Sequence, residues 1–446
     1  MRLTHIQVQK LYGIYDHEIP ISHNHQATLI YGPNGIGKTA ILRMLYCLFS
    51  SRFAELSTIP FGRLRLQFDS NIELIVKVQT AEPVNEGQRR RRQSATSVIQ
   101  FSNSAKSNEK YEILAENPED SDNIRLASRI IGDVVPHLER IGSKLWRDST
   151  SGEVLSVNGV IERYPNRFPV EFRKIAQPMP QWLISILNSQ QVHFIQTQRL
   201  FIEPPPDRRE DTLRFQPTIL KHAEELSGII NHALAQFAER SQSLDSTFPH
   251  RLLKLESGSR PTDEDIRTQY QAHAAKRKRL MSVGLLPQER DLELPTKAIG
   301  EVERRVLACY LQDVGLKLDV FNTLLSKLEL FIKIINSRFL NKEMKIDRAS
   351  GFAFYTPQGA TLKTEWLSSG EQHEVVFAFE LLFKAHAGSL ILIDEPEISL
   401  HVTWQQRFID DILQIALLTG ATFIVATHSP QIIHDRFDLA VPLKER

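Results

Sequence analysis

The sequence has very little cysteine and no long hydrophobic run. Cys47 and Cys309 are its two cysteines in 446 residues, which excludes a disulfide framework and a cysteine-rich zinc site. No stretch approaches about 18 consecutive apolar residues, so we expect no helix that crosses a membrane. The first residues lack the uninterrupted apolar segment of a secretory signal, and a cytoplasmic protein is therefore predicted.

Neither sign of charge dominates the chain. Lys and Arg number 54 and Asp and Glu 53, which gives a formal net charge of +1. Global charge therefore provides no support for binding to nucleic acid or to a membrane. Glycine (20) and proline (22) are too few for a collagen-like or broadly disordered chain. The length predicts two or three domains, or one large core with insertions.

Hydrophobic periodicity divides the chain into three parts. Alternating apolar residues near the N-terminus predict antiparallel strands, whereas the apolar residues of 217–340 have helical spacing. After Glu371, helices and strands alternate, which is typical of a parallel α/β sheet. We therefore predict an α/β fold with three domains. They are an N-terminal lobe with an antiparallel β subdomain (1–199), an inserted helical domain (200–343) and a C-terminal lobe (344–446).

A glycine-rich loop lies between an apolar strand and a helical pattern. It fits the phosphate-loop motif G-x-x-x-x-G-K-S/T and consists of Gly32-Pro33-Asn34-Gly35-Ile36-Gly37-Lys38-Thr39, with Ala40 as the next nucleotide-binding candidate. Glycines allow the backbone to approach phosphates closely, and successive N–H groups and the helix start then face them. Lys38 is predicted to reach the β- and γ-phosphates, and the Thr39 hydroxyl to ligate Mg²⁺.

A second motif lies near the C-terminus, where the apolar run 389–393 ends in Asp394 and Glu395. An all-apolar run indicates a central parallel strand, and α/β sheets bind ligands at the carboxyl ends of such strands. Asp394 is predicted to hold Mg²⁺, directly or through water. Glu395 is then placed to polarise the attacking water as a general base. The two motifs together predict ATP and Mg²⁺ as cofactors and ATP hydrolysis as the reaction.

Three further segments resemble motifs of the ABC ATPases. Leu367-Ser368-Ser369-Gly370-Glu371-Gln372 resembles the LSGGQ signature, with Ser369 in place of the first of two glycines. The histidine after the strand 424–427, His428, resembles the switch histidine that contacts the γ-phosphate. The segment from Glu395 to His401 resembles the D-loop region of SMC-like, RecF-like and overcoming-lysogenisation-defect (OLD) ATPases. The resemblance implies an ABC ATPase head with an inserted helical domain.

In that family, the signature contacts the γ-phosphate held by the other subunit. The resemblance therefore places Ser368, Ser369, Gly370 and Glu371 at a composite ATP site of a homodimer or higher homo-oligomer. Ser368 is also a good candidate for a helix N-cap. The family has a glutamine loop as well, for which Gln198 is favoured over Gln196 as a nucleotide and Mg²⁺ contact.

The spacing of the motifs narrows the type of ABC ATPase. About 330 residues separate Lys38 from Gly370. In transporter subunits these two motifs lie closer together, whereas the long coiled coils of SMC-like repair proteins need more residues between them. OLD-family nucleases carry a nuclease domain after the ATPase half, whereas about 18 residues follow His428 here. Any nuclease is thus expected to be a separate protein. The chain resembles the stand-alone ATPases of Septu-type, PARIS-type and retron-associated anti-phage systems.

The leading hypothesis is an ATPase that acts as sensor or scaffold and controls a separate effector, a nuclease or toxin, in anti-phage defence. Its trigger, DNA or a phage protein, stays open. The alternative is an SMC/RecF-like ATPase of DNA repair or chromosome maintenance, in which Arg89–Arg92 or Lys276–Arg279 would bind phosphates. A nucleotide-dependent scaffold with negligible turnover is a third hypothesis. Tyr12 or Tyr15 could stack on adenine or simply pack against the protein.

Overall fold

The computed structural model divides the chain into two compact units. One contains residues 1–198, 203–215 and 385–446, and the other contains residues 199–202 and 216–384. The three-domain division drawn from the sequence stays a prediction. The structure describes residues 1–22, 26–80, 97–103, 109–115, 129–140, 145–148, 154–157, 160, 163–164, 167–168, 179–195, 201–202, 216–254, 261–288, 293–398 and 400–444.

The described strands and helices are numbered here in chain order. The strands are β1 (Leu3–Leu11), β2 (Tyr15–Pro20), β3 (Ala27–Tyr31), β4 (Arg63–Phe68), β5 (Glu73–Thr80), β6 (Ser97–Asn103), β7 (Lys110–Ala115), β8 (Leu138–Arg140), β9 (Leu145–Asp148), β10 (Val154–Ser156), β11 (Val192–Ile195), β12 (Phe201–Ile202), β13 (Gln216–Pro217), β14 (Glu343–Asp347), β15 (Gly351–Tyr355), β16 (Thr361–Leu362), β17 (Leu390–Asp394), β18 (Thr422–Thr427) and β19 (Ala440–Pro442). The helices are α1 (Lys38–Phe49), α2 (Phe53–Ser57), α3 (Gln181–Leu187), α4 (Thr218–Lys254), α5 (Asp263–Ser282), α6 (Glu301–Leu318), α7 (Asn322–Arg338), α8 (Ser369–Phe379), α9 (Val402–Gln405), α10 (Phe408–Thr419) and α11 (Pro430–Ile433).

A parallel sheet organises the first unit. Its strand order is β11-β17-β18-β3-β19, and all its neighbouring strands are parallel. All five residues of β17 are buried, which explains its purely apolar sequence before Asp394. Asp394 is paired in register with Ala426 of β18, and Thr427 with Tyr31 of β3. The carboxyl ends of three adjacent strands therefore lie side by side.

An antiparallel sheet in the same unit has the order β2-β1-β4-β5-β6-β7. Every second residue of β4 is buried, and Leu64 and Leu66 pair with Val76 and Leu74 of β5. The alternating residues of 63–79 predict a hairpin with a turn at Asp69-Ser70-Asn71, and this hairpin is present. Helix α1 contributes Ile41 and other apolar residues to the core that this sheet shares with the parallel sheet. The predicted α/β fold class, with a parallel sheet and an antiparallel lobe, is confirmed.

A small sheet, β10-β9-β8, lies within residues 111–190, whose mixed sequence pattern predicts no fold. Its strands have three or four residues, too few to give a clear alternation of apolar and polar residues. Trp146 on β9 is buried with Ile131, Val135 and Phe168 in a separate cluster. This cluster gives the segment an apolar core of its own.

The second unit combines the long helices α4–α7 with the antiparallel sheet β14-β15-β16 and helix α8. Phe331, Phe379 and Phe383 form an aromatic cluster, in which the rings of Phe379 and Phe383 stack at 4.9 Å. Gly351 begins β15 with a φ of +79°, and a Cβ there would lie 2.0 Å from the carbonyl oxygen of Ala223 on α4. A glycine is therefore required for this helix to pack on the strand. Within the described ranges, no helix is both long and apolar enough to cross a membrane.

Candidate functional site

The candidate site in the first unit is built from three loops at the carboxyl ends of β3, β17 and β18. The phosphate loop follows β3, Asp394 and Glu395 follow the buried run of β17, and His428 follows β18. Parallel strands place their C-terminal loops along one edge of the sheet, where α/β proteins bind ligands. The fold thus gathers sequence motifs that lie about 360 residues apart.

Two glycines of the phosphate loop have backbone angles that other residues rarely adopt. Gly35 has a φ of +88° and Gly37 a φ of +100°. A Cβ on Gly37 would also lie 2.4 Å from Cδ2 of the buried Leu11, so the Leu11 side chain would have to shift to admit it. The buried His17 also contacts this loop, since its Nε2 lies 2.9 Å from the Ile36 carbonyl oxygen. Sequence analysis did not identify His17.

Lys38 begins helix α1 and is only 4% exposed. Its Nζ donates hydrogen bonds to the carbonyl oxygens of Gly32 (2.8 Å) and Pro33 (2.9 Å). Burial lowers the pKa of Lys38, although the negative charges of Glu395, Glu397 and Asp394 oppose that shift. The ammonium group therefore lies at the loop itself, next to the helix start, where it fits a nucleotide phosphate.

Thr39 and Asp394 meet across the site. The Thr39 hydroxyl donates a hydrogen bond to Oδ1 of Asp394 at 3.0 Å. Octahedral Mg²⁺ with oxygen ligands at 2.0–2.1 Å needs neighbouring oxygens about 2.9 Å apart, so this pair fits two adjacent positions around the ion. The pKa of Asp394 is raised to about 6, mainly by burial and further by the negative charges of Glu395 and Glu397. The hydrogen bond from Thr39 and the charge of Lys38 act in the opposite direction. A divalent cation would offset this crowding of negative charge.

Glu395 has a left-handed backbone conformation, with a φ of +42°. This conformation is uncommon for a residue other than glycine and is often found at functional sites. The backbone N–H of Glu395 donates to the carbonyl oxygen of Ala426 on β18 at 2.9 Å, which holds the turn. The Glu395 carboxylate is partly exposed, and its Oε1 lies 3.5 Å from Nδ1 of His428. The two predicted catalytic groups are therefore neighbours.

Glu397 is the functional candidate that sequence analysis named only as part of the D-loop resemblance. Its side chain is 6% exposed and its Oε1 lies 3.0 Å from Nδ1 of His428. The same oxygen accepts hydrogen bonds from the Thr427 hydroxyl (2.7 Å) and from the backbone N–H groups of His428 (2.8 Å) and Ser429 (3.2 Å). The signal in the sequence was a second carboxylate two residues after Glu395.

The signature segment lies in the second unit, at the start of α8. Ser368 is the N-cap, as predicted: its hydroxyl accepts a hydrogen bond from the Glu371 N–H (3.3 Å), and its own N–H donates to Glu371 Oε2 (2.8 Å). Burial of Glu371 opposes its ionisation, but bonds from Lys342 and Ser368 outweigh this and lower the pKa of Glu371. Ser368 and Ser369 are exposed, and Gly370 is half-buried.

Several candidates from the sequence lie elsewhere or outside the described residues. Gln196, Gln198 and Arg89–Arg92 belong to segments that the described ranges do not include. Tyr12 is exposed, and its ring is 3.9 Å from the position that a Cβ on Gly37 would take. Tyr15 instead packs against the core and stacks on His17, with 5.8 Å between ring centroids.

Asp394→Asn is expected to raise the stability of the nucleotide-free, Mg²⁺-free protein at neutral pH. A folded-state pKa of about 6, against an ordinary value of 3.8, means that the folded state binds this proton more tightly. Ionisation of Asp394 therefore lowers the free energy of unfolding. The full loss applies above pH 6, and there is no loss below about pH 4. The gain is on the order of 2 kcal/mol, or a few degrees in melting temperature.

The measurement is thermal unfolding of both proteins between pH 4 and pH 8, with exposed Glu343→Gln as the control. The melting temperatures of wild type and Asp394→Asn should converge as the pH falls from 6 to 4. A gap that is independent of pH, or a less stable variant at pH 8, would contradict the prediction.

Comparison with known proteins identifies the family. Residues 165–434 match the family described as "AAA domain, putative AbiEii toxin, Type IV TA system". A search of curated proteins found no match. The matched stretch spans more than half of the chain and includes the signature, Asp394, Glu395 and His428, whereas the phosphate loop precedes it.

Solved structures of SMC heads are similar to the chain at 12% identity. The Smc head domain of Pyrococcus furiosus, with an extended coiled coil and bound to the C-terminal domain of ScpA, has a TM-score of 0.36 over 100% of this chain and 94% of that chain. The SMC head domain of Thermotoga maritima has a TM-score of 0.30 over 99% and 92%. The Smc head domain of Pyrococcus yayanosii, with a coiled coil and joint, has a TM-score of 0.33 over 100% and 95%. On the strength of the family match, the chain belongs to the AAA-domain family of AbiEii-type proteins.

Proposed function

We propose that the chain binds ATP with Mg²⁺ at the phosphate loop and hydrolyses it. The observation that carries the proposal is the convergence of Lys38, Thr39, Asp394, Glu395 and His428 at the carboxyl ends of three adjacent strands. The family assignment supports a P-loop ATPase. ATP binding and hydrolysis would use each of these groups: the buried ammonium, the hydroxyl, the two carboxylates and the imidazole at one sheet edge.

Each residue has a distinct role in the proposed reaction. Lys38 and the N–H groups of the loop would bind the β- and γ-phosphates. Thr39 and Asp394 would hold Mg²⁺, which when bound neutralises the phosphate charge that builds up during transfer. Glu395 would accept a proton from the attacking water, and His428 beside it would contact the γ-phosphate. Gln198 remains a proposed contact to nucleotide and Mg²⁺.

We further propose that two copies of the chain share each ATP. Ser368, Ser369, Gly370 and Glu371 lie at the start of α8, and the first two are exposed to solvent. A helix start with a serine cap offers free N–H groups to a phosphate. In this proposal, the signature of one copy contacts the γ-phosphate held by the phosphate loop of the other, within a homodimer or a higher homo-oligomer.

The biological role that we propose is control of a separate effector in anti-phage defence. The family description names a toxin and a toxin–antitoxin system, which fits an ATPase paired with a nuclease or toxin. DNA or a phage protein would act as the trigger. ATP binding or hydrolysis would then change the assembly or its affinity for the effector.

The alternative, direct DNA binding by an SMC/RecF-like ATPase, has two basic clusters in its favour. In the described cluster, Lys276 forms an ion pair with Asp319 (2.7 Å) and Arg279 one with Glu329 (2.6 Å). The ends of this basic run are thus already neutralised within the second unit. Steeply salt-dependent DNA binding that is lost on neutralising Arg89–Arg92 would favour the alternative instead.

Lys38→Ala tests both the proposed ATPase site and the proposed role in defence. We expect ATP affinity to fall at least tenfold and hydrolysis to become undetectable, because the variant lacks the ammonium that meets the phosphates. Protection of a host bacterium that carries the gene with its neighbours, measured as phage plaque counts, should be lost as well. Lys345→Ala, which removes an exposed lysine from β14, is the matched control and should retain both. Hydrolysis unaffected by Lys38→Ala would refute the ATPase site, and unchanged protection would refute the role in defence.

A further inference from the structure

We propose that Glu397 is a positioning residue that fixes the ring orientation and the tautomer of His428. The inference rests on the proposed ATPase function, since it concerns how that reaction is supported. Glu397 touches neither the phosphate loop nor the predicted Mg²⁺ ligands in the contacts of the described residues. Its contacts reach the reaction through the imidazole, while its charge also acts at a distance on Asp394 and Lys38.

Glu397 anchors the loop after β18. Oε1 of Glu397 accepts from the hydroxyl of Thr427 and from two consecutive backbone N–H groups, those of His428 and Ser429. Thr427 is fully buried and Glu397 nearly so, which makes these bonds stronger than they would be in water. One carboxylate oxygen thus determines where the backbone of His428 lies.

The groups around Nδ1 of His428 influence which ring nitrogen carries the proton. Oε1 accepts from two backbone N–H groups, which can only donate, so this oxygen has no proton to give to Nδ1 of His428, 3.0 Å away. Two carboxylate oxygens, Oε1 of Glu397 and Oε1 of Glu395 at 3.5 Å, therefore face Nδ1, and their negative charge favours a proton on this nitrogen. Neutral His428 then keeps its lone pair on Nε2, and protonated His428 presents an Nε2–H group. In both forms, Nε2 is the atom left to contact water or a phosphate.

The loop that carries Glu397 is itself held by Gln405. The buried Gln405 donates from Nε2 to the carbonyl oxygens of Glu397 and Leu400, each at 3.2 Å. Its Oε1 accepts from the Ser429 hydroxyl at 3.1 Å. The segment after β17 and the loop after β18 are thus joined at two places. Such second-layer bonds orient a catalytic histidine in many enzymes.

Glu397→Gln is the variant that separates positioning from folding. A glutamine can keep its carbonyl oxygen in the place of Oε1, with all its donors, while its amide nitrogen takes the place of Oε2. That second oxygen is buried and has no hydrogen-bond partner within the described residues. The exchange removes the negative charge and leaves the anchoring intact. We therefore expect a folded protein with a weaker hold on His428.

The first measurement is independent of hydrolysis. Nitrogen NMR of histidine-labelled, nucleotide-free protein reports which ring nitrogen carries the proton, and His428→Ala assigns the signal. We expect neutral His428 to be protonated at Nδ1 in the wild type and to become a mixture of tautomers in Glu397→Ala. A wild-type His428 that is protonated at Nε2 in its neutral form would overturn the inference.

The second measurement is a double-mutant cycle of turnover. Glu397→Gln should lower kcat about 10- to 100-fold with KM nearly unchanged, and should have no further effect when His428 is already alanine. Glu343→Gln is the matched exposed control and should behave like the wild type. Wild-type kcat in Glu397→Gln, or an equal loss in the His428→Ala background, would overturn the inference. A wild type that does not hydrolyse ATP would refute the proposed function instead, while the NMR result would still decide the role of Glu397.

Discussion

Glu395→Gln should lower ATP hydrolysis about 10²- to 10⁴-fold while ATP binding is retained. An amide has nearly the same shape as the carboxylate but cannot accept a proton from water. The turn at this residue is held by the backbone bond from its N–H to Ala426, which the substitution does not touch. Lys38, Thr39 and Asp394 also keep their places, so the variant should bind ATP and Mg²⁺ and then stall.

The measurement has two parts: single-turnover hydrolysis, and the mass of the assembly with and without ATP and Mg²⁺. We expect the stalled variant to become a dimer or a larger multiple only when ATP is present, because uncleaved nucleotide would hold two copies together. Glu343→Gln is again the surface control. Hydrolysis at the wild-type rate would show that Glu395 is not the general base. Large assemblies without nucleotide in both proteins would instead indicate that ATP changes shape or partner affinity.

The part of the site that could be predicted from the sequence is the part encoded by contiguous residues. A phosphate loop needs its glycines, lysine and hydroxyl within eight positions, and the strand before it and helix after it are visible as local patterns. Asp394 and Glu395 are recognisable because they end a fully apolar run. Ser368 is recognisable as an N-cap because Glu371 stands three residues later.

The role of Glu397 could not be predicted in this way, because its partners lie about 30 residues further along the chain, on the next strand of the sheet. Only the parallel pairing of β17 and β18 brings them together. His17 is a similar case, since its contact with Ile36 joins strand β2 to the phosphate loop. Contacts that depend on tertiary pairing leave little trace in local sequence.

The sequence of residues 345–364 predicts a hairpin or two short strands with a turn at Thr356-Pro357-Gln358-Gly359, and the structure agrees with this only in part. The turn at residues 356–359 is present, but the structure has an additional turn between β14 and β15. Oδ1 of Asp347 accepts there from the N–H groups of Ala349 and Ser350, an Asx-type turn, and Gly351 follows with a positive φ. The aspartate, serine and glycine were a readable turn signal that the alternation of apolar residues obscured.

The second large effect is expected from mixing two inactive variants. Ser369→Asp places a negative charge at the exposed start of α8, where it favours the helix but repels a phosphate. Lys38→Ala removes the phosphate contact of the other half of the proposed site. Each variant alone should lose nearly all hydrolysis. Ser369→Gly, which supplies the first of the two glycines of the signature, is the matched control and should remain active.

In an equal mixture, about half of the dimers would contain one copy of each variant. Such a dimer has one site with Lys38 and Ser369 both intact, supplied by different chains, and one site with both altered. Hydrolysis should therefore recover to about one quarter of the wild-type rate if subunits exchange freely. A site completed within one chain gains nothing from mixing, so a mixture that stays inactive after subunit exchange has been demonstrated would contradict the shared site.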